Sequence, residues 1–176
     1  MDHIELVAAD NPALLLELSA LAHVIWHQHY TPIIGREQVE YMLDGGYSEH
    51  ALNEQMAAGT RFTLARRGER YVAFVAVSPD ADDPDTAWLD KLYVHIEARN
   101  LGVGRRLVQR AADQAREFGA ATLRLRVNRH NAESITAYRR LGFETEYEDV
   151  KDIGHGFVMD DYVMAAPVER IATAVG

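Results

Sequence analysis

The sequence predicts a mixed α/β (α+β) fold in which helices flank one central sheet. Three observations lead there. Hydrophobic periodicity switches along the chain between the two-residue period of strands and the 3.6-residue period of helices. The segments run strand, helices, three strands, helix, strand, helix, two strands, which is not a regular βα alternation. The chain has 176 residues, 48% hydrophobic and 26% charged, enough apolar material for one full core. No repeat or linker interrupts it, so residues 1–168 read as a single domain and 169–176 as a C-terminal tail.

Each element has its own signal. "HIELVAA" is a short strand. Asp10 is placed to cap the next helix, and Pro12 suits its first turn. "ALLLELSALAHVIWHQHY" carries an apolar face of Leu14, Leu15, Leu18, Leu21, Ala22 and Ile25, and "TPIIG" reads as its end. "REQVEYML" is a second helix stopped by Gly45-Gly46, and Ser48 opens a third that stops at Gly59. "RFTLARR" and "YVAFVAVS" are strands around the turn "RGER", and "TAWLDKLYV" is the next strand. "RRLVQRAADQAREFGA" repeats apolar residues at helical spacing: Leu107, Val108, Ala111, Ala112, Ala115 and Phe118. "TLRLRVN" alternates as a strand, and "NAESITAYRRLG" is a helix from Asn131 to Gly142. Two strands around Gly154-His155-Gly156 finish the pattern.

Charge and composition exclude several functions. The formal net charge is -9, whereas phosphate-backbone binding needs a broad excess of Lys and Arg. An acidic surface attracts cations such as amines. The absence of cysteine excludes disulfides, thiolate metal sites and a cysteine nucleophile. "MDHIELVAAD" does not read as a leader, and no run approaches a membrane span, so a cytoplasmic protein without nucleic-acid or membrane partners is expected. His23, His27 and His29 cluster, with His23 and His27 on one helix face, but no His-Glu-x-x-His pattern accompanies them and no metal is expected.

The stretch "RNLGVGRR" places Gly102 and Gly104 among Arg99, Arg105 and Arg106, between a strand and a helix. Glycine lets backbone N–H groups approach a ligand, and a helix N-terminus favours an anion. Walker A fails because Arg105 follows Gly104, and the dinucleotide fingerprint fails because Leu107 stands where its third glycine belongs. On these residues alone, a phosphate cradle and a plain strand-to-helix turn both remain open.

The wider pattern is Arg-x-x-Gly-x-Gly after a strand, then Asn-x-x-Asn-Ala-x-x-x-x-x-Tyr-x-x-x-Gly-Phe from Asn128 to Phe143. It resembles the GNAT superfamily of acetyl-CoA-dependent N-acetyltransferases, including branches that act on small molecules and polyamines. The likeness is close over residues 86 to 145 and looser elsewhere. It implies a mostly antiparallel sheet of about seven strands, splayed between strands 4 and 5, with acetyl-CoA in the opening. By resemblance, the backbone of Leu92, Tyr93 and Val94 holds the pantetheine arm. Arg99, Asn100, Leu101, Gly102, Val103, Gly104, Arg105 and Arg106 surround the pyrophosphate. Asn128, Asn131, Ser134, Ala137 and Arg140 flank the cofactor. Asn131 reads equally well as a helix cap, and Arg140 as an ordinary exposed arginine.

The resemblance also implies direct attack of an amine on the thioester. Tyr138 matches the family tyrosine that protonates the leaving thiolate; the other reading is a packed aromatic. An alkyl ammonium is almost fully protonated at neutral pH, so a base is useful. Asp90 is the first candidate, read otherwise as an exposed strand carboxylate; Asp160, Asp161 and Glu144 are further carboxylates without a motif. Trp26, His29, Tyr30 and His155 are expected at the acceptor, or else in ordinary packing and a turn. The acceptor is expected to be a small-molecule or peptide amine, and a homodimer is compatible with the family. A non-catalytic acyl-CoA sensor and an enzyme using another acyl donor are the competing readings.

Overall fold

A computed structural model describes residues 3–175, with side chains through Ile171. The strand order is β1-β2-β3-β4-β5-β7-β6, and β4–β5 is the parallel pair among neighbours that otherwise pair antiparallel in the registers seen. This is the mixed, mostly antiparallel sheet of seven strands that the family resemblance implies. The chain divides into two compact units, residues 1–77 with 91–108, and residues 78–90 with 109–176. No helix among the described residues is long and apolar enough to cross a membrane.

The first unit begins with β1 (Ile4–Ala8) and α1 (Pro12–Ile34). Asn11, not Asp10, caps α1: its side chain accepts the Leu14 N–H at 3.0 Å. The helix also runs through Thr31-Pro32 and stops where Gly35 takes φ +86°. Pro32 forfeits one hydrogen bond, but the turn around it closes through Gly35 N–H to the Thr31 carbonyl at 3.0 Å. The next helix, α2 (Arg36–Tyr47), continues through Gly45-Gly46. Carbonyls of its last turn gain partners that a local reading cannot see. Gly46 accepts from Lys91 Nζ at 3.2 Å and Gln55 Nε2 at 3.0 Å, and Tyr47 accepts from Ser19 Oγ at 2.6 Å. Ser48 caps α3 (Glu49–Ala57) as expected.

The hairpin β2 (Arg61–Arg67) and β3 (Arg70–Pro79) turns at Gly68, with φ +61°. Leu15, Leu18, Ile25, Val39, Leu43, Leu52, Phe62 and Phe74 belong to the buried core of this unit. β4 (Thr86–Val94) leads into a 3-10 turn at Ile96–Ala98 and then α4 (Val103–Glu117).

The second unit holds the start of β4, most of α4, β5 (Thr122–Asn128), α5 (Ala132–Arg140), β6 (Glu144–Gly154) and β7 (Phe157–Pro167). The predicted apolar face of α4 is buried from Leu107 to Ala115, while Phe118 lies past the helix and is half-buried. On β5, Leu123, Leu125 and Val127 are buried, leaving Arg124, Arg126 and Asn128 on the other face. β6 pairs with β7 over most of its length and is largely exposed, with charges along it. α6 (Val168–Val175) begins one residue before the stretch expected as a tail and covers most of it; Ile171 is buried and Arg116 donates to the Val168 carbonyl. Gly176 lies outside the described residues.

Candidate functional site

The glycine loop of the first unit has the backbone its sequence calls for. Gly102 takes φ +78° and Asn100 φ +62°, conformations that glycine adopts freely and asparagine tolerates. The helix begins at Val103, two residues earlier than its apolar pattern shows, with no acidic residue in its first turn. The Arg106 N–H bonds the Gly102 carbonyl at 3.1 Å. Amides before that point belong to the helix start, where no intrahelical acceptor exists. A Cβ on Gly104 would meet Val94 Cγ2 at 3.7 Å, an ordinary contact. The fold itself therefore has room for a side chain at 104.

The arginines of the loop divide their work. Arg106 Nη1 donates to the Ile4 carbonyl at 2.6 Å, tying the loop to β1. Arg99 donates through Nε to the Val94 carbonyl at 3.4 Å and meets His29 Nδ1 at 3.3 Å. Arg105 and Leu101 are exposed, and Val103 is buried. Leu92, Tyr93 and Val94 are half-buried on β4.

The expected acceptor residues of this unit meet its expected cofactor residues. Trp26 lies 4.4 Å from Tyr30 and 5.5 Å from Tyr93 between ring centroids, and Tyr30 lies 5.8 Å from Tyr93. His29 stands edge-on to Tyr30 at 4.8 Å. Tyr47 and Phe74 complete the cluster, each packed against Tyr93. Sequence reading missed both, because nothing local tells α2 and β3 to meet Tyr93. Trp26 and Tyr30 are buried, and Trp26 Nε1 has no hydrogen-bond partner among the described residues. A separate groove of about 500 Å³ is lined by His23, His27, Glu40, Tyr41, Leu43 and Asp44. Among the described residues, no group of three His, Asp or Glu side chains is placed to hold a metal ion.

In the second unit the β4–β5 ladder runs from Thr86↔Thr122 to Leu89↔Leu125 and includes neither Asp90 nor Arg126. Asp90 is exposed and accepts from Ser78 Oγ at 2.6 Å. At the other end of β5, Asn128 Oδ1 accepts the His130 N–H at 2.9 Å, and the Asn131 N–H bonds the Asn128 carbonyl at 2.9 Å. Asn131 is buried, and its Oδ1 accepts the Ser134 N–H at 3.3 Å. It is thus the cap of α5, with its Nδ2 group not engaged by that bond. Tyr138 is half-buried, its ring 5.7 Å from Phe143. Ser134 is half-buried, while Ala137 and Arg140 are exposed on the same helix. His155 sits exposed at φ +54° in the β6–β7 turn.

One face of this unit carries a chain of charges. Trp88 Nε1 donates to Asp80 at 2.6 Å, and the Arg126 guanidinium lies 4.2 Å from the centre of the Trp88 indole. Arg126 Nε donates to Asp149 Oδ2 at 3.0 Å and holds that carboxyl below the usual range. Asp161 stands opposite both Asn128 and Asp149 in the strand register. It is 3% exposed, and its Oδ1 has no hydrogen-bond partner among the described residues. Such an orphan costs about 1–3 kcal/mol. Burial, then the nearby Asp149 charge, push its pKa up to about 6. The signal in the sequence was a carboxylate sharing the parity of Val163, at a position suited to an apolar residue.

Known proteins resemble this chain in sequence and in fold. The profile of the Acetyltransferase (GNAT) family matches residues 21–143. Streptothricin acetyltransferase from Streptomyces lavendulae is 44% identical over 81 residues, 40% of this chain and 43% of that protein. IAA acetyltransferase from Azospirillum brasilense is 34% identical over 98 residues, 54% of this chain and 63% of that protein. The chain thus spans about half the length of the curated relatives it matches. The PaiA N-acetyltransferase of Thermoplasma acidophilum, solved in complex with coenzyme A, superposes with a TM-score of 0.77 at 23% identity, covering 94% of this chain and 99% of that one. With the family profile matching most of its length and the fold agreeing, the chain belongs to the GNAT acetyltransferase family.

Proposed function

We propose that this protein moves the acetyl group of acetyl-CoA to a primary amine by direct attack, within one N-acetyltransferase domain through residue 168. The acceptor is a small amine or polyamine, and the reaction is cytoplasmic. The observation that carries this reading is the glycine loop: positive φ at Asn100 and Gly102 leads straight into a helix start without acidic residues. That donor set fits a pyrophosphate.

In this reading the amides of Leu101 to Arg105 bind the pyrophosphate, the Arg106 N–H being held by the Gly102 carbonyl, while the Arg99 and Arg106 side chains brace the loop from within. The backbone of Leu92 to Val94 holds the pantetheine arm, and Asn128 and Asn131 offer it their amide NH2 groups. The thioester supplies the acetyl group. Tyr138 hands a proton to the departing sulfur, and a carboxylate takes the proton of the ammonium, with Asp90 the candidate from the motif. Trp26, His29, Tyr30 and His155 are proposed at the acceptor. The buried positions of Trp26 and Tyr30 support a role in shaping rather than lining it.

Gly104→Asp tests the cradle by putting a like charge at the phosphate site, in a place where the fold accommodates the added Cβ. Acetyl-CoA affinity by calorimetry should fall at least tenfold while thermal stability holds, since a carboxylate suits a helix start. Unchanged affinity would remove the cradle. Turnover is measured as thiol release with spermidine, lysine and streptothricin, and Tyr138→Phe should lower kcat more than acetyl-CoA affinity.

A further inference from the structure

We propose that the Asp161 carboxylate is the proton acceptor for the attacking amine, acting from the end of β7 beside Asn128. This rests on the acetyltransferase reading and names a second carboxylate for its base. Three observations carry it. Asp161 is 3% exposed, yet its Oδ1 lacks any hydrogen-bond partner among the described residues. A buried carboxylate that its own fold leaves incomplete is suited to a ligand or ordered water that completes it. Asp161 is the direct register partner of Asn128, the asparagine at the end of β5 that opens the second family motif. Finally, the neighbouring cation does not neutralise it: Arg126 donates to Asp149 instead.

The groups around Asp161 are Arg126 from β5, Asp149 and Lys151 from β6, and Asp160 from β7 itself. Lys151 stands 3.5 Å from Asp149, and Arg129 is paired with Asp160 at 2.8 Å. The two cations that oppose the shift are thus each engaged by Asp149. Burial leads the upward shift to about 6, a value that suits a base near neutral pH. Asp90, by contrast, is exposed and already accepts from Ser78 Oγ.

The substrate ammonium gives one proton to Asp161, directly or through one water, leaving a neutral amine and a carboxylic acid. The nitrogen lone pair forms the C–N bond at the thioester carbonyl. As the C–S bond breaks, its electron pair stays on sulfur, which takes the Tyr138 hydroxyl proton. The amide nitrogen returns its surplus proton to the tyrosine oxygen, and Asp161 releases its proton to solvent.

The test uses the full chain, acetyl-CoA, and whichever of spermidine, lysine or streptothricin the wild type acetylates fastest. Wild-type kcat/KM should fall on the acid side with a midpoint near pH 6. Asp161→Asn should lower kcat at least tenfold at pH 7.5 and abolish that limb, with acetyl-CoA affinity within twofold of wild type. Asp90→Asn should keep the limb. An Asp161→Asn enzyme with wild-type kcat and an intact limb would overturn the proposal, as would loss of the limb in Asp90→Asn. Should Asp161→Asn fail to fold, carbon-13 NMR of wild-type carboxyl groups decides. The Asp161 midpoint should lie near pH 6 and move when CoA and the acetylated amine are added; a midpoint indifferent to both overturns it. Failure of the wild type to acetylate any of the three amines counts against the transferase reading, and the titration of Asp161 is measured independently of it.

Discussion

Lys91 and Asp161 are buried charges, one in each compact unit, and the fold treats them differently. Each sits on a strand at the parity of buried apolar neighbours, Ala87 and Leu89 for Lys91, Val163 for Asp161. Lys91 is completed from within: its Nζ donates to the Gly46 carbonyl and lies 4.2 Å from the centre of the Tyr47 ring. It serves the end of α2 and explains why that helix outlasts two glycines. Asp161 is not completed, and its Oδ1 is buried without a partner among the described residues. A buried charge satisfied by its own chain is a structural device; one left open points to something the chain meets.

Removing the two charges should change stability in opposite directions at neutral pH. Asp161 has a folded pKa of about 6 against an ordinary 3.8. The folded protein therefore holds a proton that the unfolded chain releases, and this group's contribution to stability falls as pH rises from about 4 to 6. Asp161→Asn should thus be more stable than wild type above pH 6, by up to about 3 kcal/mol at about 1.4 kcal/mol per pKa unit, and the gap should close below pH 4. Urea unfolding at pH 4 and pH 7.5 measures it; a destabilised variant at pH 7.5 would make Asp161 structural, like Lys91. Lys91→Met should act oppositely, destabilising by about 2 kcal/mol as the charged hydrogen bond and the ring contact are lost. An equally stable Lys91→Met protein would erase the contrast. Arg126→Gln sharpens it with the smallest effect. Arg126 opposes the upward shift of Asp161, so its loss should move the Asp161 midpoint in carbon-13 NMR further up, with a loss of unfolding free energy at pH 7.5 smaller than that of Lys91→Met because Arg126 is partly exposed.

Features decided within a few residues were legible in the sequence. Asn131 caps α5, Ser48 caps α3, and Gly68 turns the β2–β3 hairpin as expected. The misreadings have physical causes. Asp10 and Asn11 are both good caps, and the choice depends on which side chain reaches the Leu14 N–H. Pro32 and Gly45-Gly46 are breakers by local preference, and tertiary contacts of about the same energy overrode them at the glycines. Asp161 was visible only as one of several carboxylates, since burial is not a property of a residue's neighbours in sequence.

The order of strands and helices, the glycine loop and the asparagine-tyrosine motif are local, because hydrophobic period, cap chemistry and φ preference act over a few residues. What the loop arginines do, and which carboxylate is left open, depends on contacts between distant segments. Arg99 meets a histidine 70 residues away, and Arg106 a carbonyl 102 residues away. Desolvation and hydrogen-bond completion depend on such distant partners, and no local pattern encodes them.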